Sequence, residues 1–255
     1  MNALILAAGF GTRMRPFTNT HPKALVPVNG IPLILYSLAF LKKHGIKNIV
    51  INLHHHGRVI KKYLGNGKKI GMTIRYSNEP HILGTGGGIK KALRYLDETT
   101  LVINGDILMD FSLTSFLAQH NKKSPLATLL LFQHKNARDF GLIHHNQQSV
   151  TSILGSPAPH TKDHSAMFTG IYLITKSLLK KELDKHPANK LFCIMRHILI
   201  PSLQQGIPLG ARLLDGFWHV CDRLSDVTSV EKAINDNKIL LSYGEIANKI
   251  CRLLK

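Results

Sequence analysis

The sequence predicts an α/β protein whose mostly parallel sheet is flanked by helices. Three observations carry this expectation. Short apolar runs recur as buried strands, stretches with apolar residues at helical spacing separate them, and glycine-containing or polar loops follow the strand ends. Asn2 to Ala8 is the first such run, ended by Gly9. Leu33 to His44 is helical in its spacing, Asn48 to Leu53 reads as a strand, and Val59 to Leu64 as a helix. Met72 to Tyr76, Ile89 to Leu96 and Thr100 to Ile103 continue the alternation as strand, helix and strand. Such βαβ repeats imply right-handed crossovers and parallel pairing.

The second half is less regular. Ala127 to Phe132 and Phe168 to Ile174 read as strands, and Leu142–His145 with Val150–Leu154 read as a hairpin around Asn146-Gln147-Gln148. A helical pattern from Leu191 to Gln204 is interrupted at Pro201. Two strand-like pieces, Ala211–Leu214 and Phe217–Val220, flank a turn at Asp215-Gly216, and helical spacing resumes from Asp226. With no internal repeat and no low-complexity linker, the expectation is one domain spanning residues 1–255.

Composition bounds the function. The chain has 255 residues, 44% of them hydrophobic and 19% charged, the balance of an ordinary globular protein rather than a disordered one. The opening apolar stretch is too short for a signal peptide or a membrane span, which places the protein in the cytoplasm. Cys193, Cys221 and Cys251 are widely spaced, so neither a disulfide framework nor a zinc site is expected. The formal charge of +18 attracts polyanions in general. Its Lys and Arg residues are scattered as isolated pairs rather than gathered into a basic arm, so no dedicated nucleic-acid function is expected.

The segment from Leu6 to Pro16 carries the most chemistry. Two glycines and small neighbours directly after a strand let backbone N–H groups approach a phosphate. Arg13 and Arg15 add forked donors suited to phosphate oxygens, and Lys23 adds a compact ammonium. The pattern is neither a Walker loop nor Gly-x-Gly-x-x-Gly. A second glycine-rich stretch, Leu83-Gly84-Thr85-Gly86-Gly87-Gly88-Ile89, follows Glu79-Pro80 and enters a helix; close packing and ligand binding both explain it. Asn104-Gly105-Asp106 ends a strand, where open α/β sheets place ligands. The triplet His54-His55-His56 reads as a solvated loop, because adjacent residues on an extended backbone do not easily converge on one ion.

Gly9-Phe10-Gly11-Thr12-Arg13-Met14-Arg15-Pro16 followed by Pro22-Lys23-Ala24-Leu25-Val26-Pro27-Val28 resembles the signature of the sugar nucleotidyltransferase family. The resemblance implies a Rossmann-like fold of the nucleotide-diphospho-sugar transferase type, with a nucleotide-binding half over 1–110 and a sugar-binding half over 111–255. It implies a reaction that joins a nucleoside triphosphate to a sugar 1-phosphate and releases pyrophosphate. Leu6, Ala8, Gly9, Gly11 and Thr12 then line the nucleotide, Arg13 stabilises the leaving pyrophosphate and Lys23 the α-phosphate. Glu79, Gly84, Thr85 and Gly86 match the base and sugar loop, Asn104 lies beside the reacting groups, and Gly170 sits in the strand Phe168-Thr169-Gly170-Ile171-Tyr172 that contacts the sugar. Glu79 suits a guanine edge, whereas uracil depends more on main-chain groups. Asp106 is the implied ligand of Mg2+ and, with Arg13 and Lys23, the implied catalytic set. Asp110 falls in the outer shell.

The wording Thr-Gly-Gly-Gly-Ile, with Ile51-Asn52 and Val102 to Ile107, is most similar to the N-acetylmuramate-1-phosphate uridylyltransferases of cell-wall recycling. Mannose- and heptose-1-phosphate guanylyltransferases come next, so UTP is favoured and GTP follows. Two departures stand out. Val220 occupies the position after Trp218 where the family has its second metal carboxylate, and Asp222, two residues on, shares its face if the strand continues. The family's Glu-Lys pair for the sugar phosphate is absent, and Lys162 is the nearest substitute. A nucleotide-binding protein with impaired catalysis is therefore the alternative, and the chain is expected as a monomer or homodimer.

Overall fold

The structure is a computed structural model that describes residues 1–134, 137 and 141–255. In chain order its strands and helices begin with β1 (Asn2–Leu6), β2 (Pro27–Val28), β3 (Ile31–Pro32) and α1 (Leu33–Lys43). Then come β4 (Asn48–Leu53), α2 (Gly57–Leu64), β5 (Thr73–Asn78), α3 (Gly84–Ala92) and β6 (Thr99–Asn104). The middle holds β7 (Ile107–Phe111), α4 (Leu113–Lys123), β8 (Ala127–Phe132), β9 (Leu142–Asn146), β10 (Ser149–Ile153) and β11 (His164–Thr175). The chain closes with α5 (Lys176–Asp184), α6 (Ile200–Gln204), β12 (Leu209–Leu213), β13 (Gly216–Val220), α7 (Leu224–Asn235) and α8 (Gly244–Leu254).

The chain divides into two compact units. The first comprises Asn2–Ile82, Ile103–Phe111 and Gly216–Lys255; the second comprises Met1, Leu83–Val102 and Ser112–Asp215. In the first unit β5, β4 and β1 lie side by side in that order. The pairing is parallel, with Ala3 opposite Ile49 and Ile49 opposite Ile74. Parallel strands covered on both faces need continuous apolar runs, which is what β1 and β4 supply. Residues Leu33 to Leu41 of α1 are all buried. This helix is therefore enclosed, with β7 and α8 packed against it.

Phe40 sits at the centre of that packing, fully buried. Its ring lies 4.9 Å from Phe111 and 5.8 Å from Tyr243. The Tyr243 hydroxyl donates to the Met109 carbonyl at 2.7 Å, so the same cluster grips β7 by an apolar and a polar handle. β7 in turn pairs antiparallel with β13, Ile107 opposite Val220 and Phe111 opposite Gly216. This two-stranded ribbon fixes where the acidic residues at its open end can lie.

The second unit is mixed. β8 pairs antiparallel with β11 and parallel with β12, and β10 joins β12 to β9. The expected hairpin is present as β9 and β10. The strand pieces on either side of Asp215-Gly216 do not pair with each other: β12 joins β8 and β10, while β13 belongs to the other unit. The helical pattern is interrupted ahead of Pro201: one π-helical turn over Met195–Leu199 runs straight into α6, whose second residue is Pro201, and accommodates the missing N–H. Five elements that the sequence pattern left unassigned are β2, β3, β7, α4 and α5. Ser112 opens α4 by accepting a hydrogen bond from the Ser115 N–H.

The glycine run of α3 is a packing surface in the second unit. A Cβ on Gly86 would lie 2.4 Å from the Phe192 ring, and one on Gly84, whose φ is +68°, 2.7 Å from the Phe192 carbonyl oxygen. That carbonyl accepts the Gly86 N–H at 2.9 Å, and the Thr85 hydroxyl accepts the Ile194 N–H at 3.0 Å. The Gly86 N–H is thus engaged by the 192–194 segment, while the Thr85 hydroxyl keeps its own O–H to donate. Gly170 has a structural reason too: it lies at φ 79°, where the register of β11 against β8 shifts.

Truncation of the hinge of the first unit's packing gives a direct check. Phe40→Ala is expected to cost about 3–5 kcal/mol of unfolding free energy in urea denaturation, the range for emptying a large buried aromatic site. A loss below about 1 kcal/mol would contradict the description of Phe40 as the anchor of β7.

Candidate active site

The site lies wholly in the first unit and starts at the end of β1. Gly11 has φ 62°, a left-handed conformation, and a Cβ there would meet Lys23 Cβ and Thr18 Cγ2 at 2.9 Å each. Glycine is therefore required twice over, for the backbone angle and for the close approach of Lys23. The Gly11 carbonyl is held by the Thr18 hydroxyl at 2.8 Å and by the Met14 N–H at 2.9 Å. Met14 is fully buried, which pins the loop to the core, while Gly9, Phe10, Thr12, Arg13 and Arg15 face outward.

Below this loop, Lys23 Nζ donates to Asp106 Oδ2 at 2.7 Å and to Asp222 Oδ1 at 2.8 Å. The other Asp222 oxygen pairs with the Arg13 guanidinium. Lys23 is the most enclosed of the four, its side chain 13% exposed against 27% for Asp106 and 32% for Asp222. Burial alone works against the Lys23 ammonium, but the charges and hydrogen bonds of Asp106 and Asp222 outweigh it and raise its pKa above the ordinary value. Asp222 shows the mirror image. Burial works to raise its pKa, and the hydrogen bonds and charges of Lys23 and Arg13 bring it below the ordinary value.

The ribbon sets where Asp222 lies relative to Val220 and Asp106. β13 ends at Val220, but the ladder runs one bond further, from the Cys221 N–H to the Asp106 carbonyl at 2.8 Å. Asp106 and Asp222 therefore leave the same end of the β7–β13 ribbon, and their carboxylates meet at Lys23. Cys221 between them points into the core, fully buried. Burial, with the nearby charges of Asp106 and Asp226, pushes its thiol up to about 12, so it is no nucleophile at neutral pH.

The remaining expectations divide. Glu79 is buried, and the Asn52 amide donates to its Oε1 at 2.7 Å. Asn52 Oδ1 accepts the Ala7 N–H at 2.7 Å, so this pair ties the end of β1 to the end of β5. The Gly105 N–H donates to the Leu6 carbonyl at 2.9 Å and draws Asn104 and Asp106 up to the same strand end. Asp110 is not in the shell of the site. It lies along β7 facing the approach to α8, where its carboxylate accepts the Ser242 N–H. Lys162 is exposed on the connection between β10 and β11 in the second unit.

The histidine triplet is not a solvated loop. His54, His55 and His56 are only partly exposed, and each ring donates to a backbone carbonyl: Glu79 at 3.0 Å, Thr18 at 3.1 Å and Asn19 at 3.2 Å. The Phe10 ring lies 5.5 Å from His54 and 5.4 Å from His55. The triplet is thus a bracket for the glycine loop. Sequence reasoning gave no part in the site to Thr18, Asn52 or Asp226, whose hydrogen bonds depend on tertiary placement.

Two carboxylates whose oxygens already share one cation, the Lys23 ammonium, fit a divalent ion that takes one or two carboxylates and fills its other positions with phosphate and water oxygens. Among the described residues no group of three or more His, Cys, Asp or Glu side chains forms a metal cluster. A Mg2+ ion held by Asp106 and Asp222 would therefore depend on the substrate for the rest of its shell.

Comparison with known proteins agrees with this fold. The fold is that of the nucleotide-diphospho-sugar transferases. A structure from Bacillus anthracis, described as a putative glucose-1-phosphate thymidylyltransferase in complex with a sucrose, superposes with a TM-score of 0.78 at 22% identity, covering 97% of this chain and 99% of that one. Apo UDP-glucose pyrophosphorylase gives 0.75 at 17% identity, over 94% of this chain and 100% of that one.

The nucleotidyl transferase family model matches residues 2–234, and the chain belongs to that family. A D-glycero-alpha-D-manno-heptose 1-phosphate guanylyltransferase of Campylobacter jejuni is 31% identical over 70% of this chain and 77% of that protein. An N-acetylmuramate alpha-1-phosphate uridylyltransferase of Neisseria meningitidis is 50% identical over 45% of this chain and 51% of its own length. A UTP–glucose-1-phosphate uridylyltransferase of a Synechocystis species is 27% identical over 94% of this chain, which spans 64% of that relative.

The charge network makes a pH-dependent prediction. A lowered Asp222 pKa contributes stability that is present above the ordinary aspartate value of 3.8 and is lost as pH falls through the lower, folded value. A raised Lys23 pKa contributes stability below its ordinary 10.5 that is lost as pH climbs past it. Asp222→Asn is therefore expected to melt below the unsubstituted protein between those limits, and the gap in melting temperature should close in strongly acidic buffer. A gap that is constant down to about pH 2 would contradict the ion pairing.

Proposed function

We propose that the protein is a sugar-1-phosphate nucleotidyltransferase, joining a nucleoside triphosphate to a sugar 1-phosphate with release of pyrophosphate. The observation that carries this reading is the Lys23 ammonium set between Asp106 and Asp222 beneath a glycine loop. Preorganised cations at a mouth lined by backbone N–H groups suit a reaction in which negative charge moves among phosphate oxygens. In-line attack by the sugar phosphate oxygen on the α-phosphorus breaks the bond to the β-phosphate. No covalent link to the protein is needed, and pyrophosphate leaves with its electron pair.

Each residue has a share in this. Gly9, Gly11 and Thr12 offer a narrow backbone path along the triphosphate, with Leu6 and Ala8 at its base. Arg13, the more exposed cation, swings from Asp222 to the β- and γ-phosphates and steadies the leaving group. Lys23, already buried, holds the α-phosphate oxygens as charge accumulates there. Mg2+, when bound to Asp106 and Asp222, screens the repulsion between the two anionic reactants. Asn104 borders this position.

UTP is the favoured nucleotide, GTP the next, and N-acetylmuramate 1-phosphate the favoured acceptor ahead of mannose 1-phosphate. Two observations support the order. Glu79 is buried with one oxygen engaged by Asn52, which suits a base read by main-chain groups rather than a guanine edge that needs the carboxylate. The match at 50% identity is to an N-acetylmuramate uridylyltransferase. The placement of Asp222 beside Asp106 also supports a working cation site over the reading of impaired catalysis that Val220 suggested.

A panel of sugar 1-phosphates crossed with the four triphosphates and Mg2+, assayed for pyrophosphate, tests the assignment. The highest kcat/KM is expected for UTP with N-acetylmuramate 1-phosphate, and no turnover with any pair would remove the proposal. Within the productive pair, Lys23→Met should lower kcat by about 100–1,000-fold, the range for losing one preorganised charge stabiliser. Retention of more than about a third of the activity would exclude the role given to Lys23.

A further inference from the structure

We propose that Asp226 is a positioning residue for the cation site, setting the place of Asp222 through the backbone. The proposal rests on the reading of Asp106 and Asp222 as carboxylates that share a divalent ion. Asp222 does not project from a strand. β13 stops at Val220, and the last ladder bond is the one from Cys221 to Asp106. Beyond it the chain must turn into α7, and nothing in the ribbon fixes the angle at which it turns.

The Asp226 carboxylate does. Its Oδ2 accepts the Asp222 N–H at 2.9 Å and the Arg223 N–H at 2.7 Å. From the strand side, the His219 ring donates to the Asp226 carbonyl at 3.0 Å. The peptide from which the Asp222 side chain leaves is thus held at both ends: by the ladder bond to Asp106 on one side and by a charged acceptor on the other. Hydrogen bonds from N–H groups to a carboxylate are roughly twice as strong as neutral ones. A ladder bond and a charged clamp together hold the Asp222 backbone close to one position relative to Asp106.

This precision matters because of the ion. Mg2+ demands near-octahedral oxygen positions at short distances, so a ligand on a loosely held turn loses affinity. In this chain the requirement is sharper, since the acid that would sit on the strand itself is Val220 and its replacement lies past the strand end. Asp226 restores to a loop residue the rigidity that a strand residue has without help. Outer partners of metal ligands matter to affinity by about 10–100-fold. Asp226 also caps the first turn of α7, its carboxylate accepting the Arg223 N–H, a purely local role that stabilises the helix. That role alone predicts a loss of stability with no change at the ion.

Mn2+ binding to the full chain, followed by electron paramagnetic resonance at saturating UTP or GTP without sugar phosphate, separates the two. Asp226→Ala is expected to weaken Mn2+ by about 10–100-fold, with metal-free nucleotide affinity changed by less than about threefold. Asp226→Asn keeps an oxygen at the accepting position and is expected to recover Mn2+ affinity to within about threefold of the unsubstituted protein. A lower melting temperature with unchanged Mn2+ affinity in Asp226→Ala would overturn the proposal, as would an Asn variant as weak as the Ala variant. If the Ala variant does not fold, Asp226→Glu serves instead. Its longer arm displaces the clamp while keeping the charge, so Mn2+ affinity should fall, and unchanged affinity overturns the proposal. If the unsubstituted protein itself retains no Mn2+ with either nucleotide, the shared-ion reading fails first and Asp226 is left as a helix cap.

Discussion

One ammonium group organises the first unit's functional end. Lys23 reaches two carboxylates that come from distant parts of the chain, and the two acids hold its enclosed ammonium in the charged form. The arrangement sets a local rule. Whatever replaces Lys23 between the carboxylates must be a cation, and whatever Lys23 turns to instead must be an anion. Under the proposed function, a divalent ion and a phosphate would satisfy both conditions together.

Getting three groups to that point is the work of the surrounding fold. Glu79 is the first acidic residue in the sequence, so Arg13 and Lys23 have no carboxylate in their own neighbourhood of the chain. Their partners must arrive through tertiary structure. The β7–β13 ribbon delivers them, and Phe40, Phe111 and Tyr243 hold that ribbon against α1. From the other side, Met14 anchors the glycine loop, and His55 and His56 hold the Thr18 and Asn19 carbonyls just past it. The loop needs glycine where Lys23 passes closest, and elsewhere accepts exposed cations that are free to follow a ligand.

Much of this was legible in the residues. β1, β4 and β5 announce themselves because strands covered on both faces, or on one, leave continuous or alternating apolar runs, and α1 does so by its helical spacing. The loop, Arg13, Lys23 and Asp106 were readable because their residue types suit phosphate and cation chemistry and match a known pattern. What escaped were features set by register and by side-chain reach. Nothing local in Asp222 says that the ladder runs one residue beyond Val220, and nothing in His54-His55-His56 says that Thr18 and Asn19 carbonyls lie within reach. The α3 glycines carried two readings in sequence, and the position of Phe192 supplies a packing reason for Gly84 and Gly86.

The central claim is that Asp106 and Asp222 together mark a cation position that Lys23 holds until phosphate and metal arrive. A crystal grown with nucleotide and Mn2+, with the ion located by its anomalous scattering, tests this most directly. The account predicts Mn2+ bound to oxygens of both aspartates, with Lys23 Nζ moved onto a phosphate oxygen and Arg13 released from Asp222. An ion bound by Asp106 without Asp222, or Asp222 still paired with Arg13 in the loaded site, would contradict it.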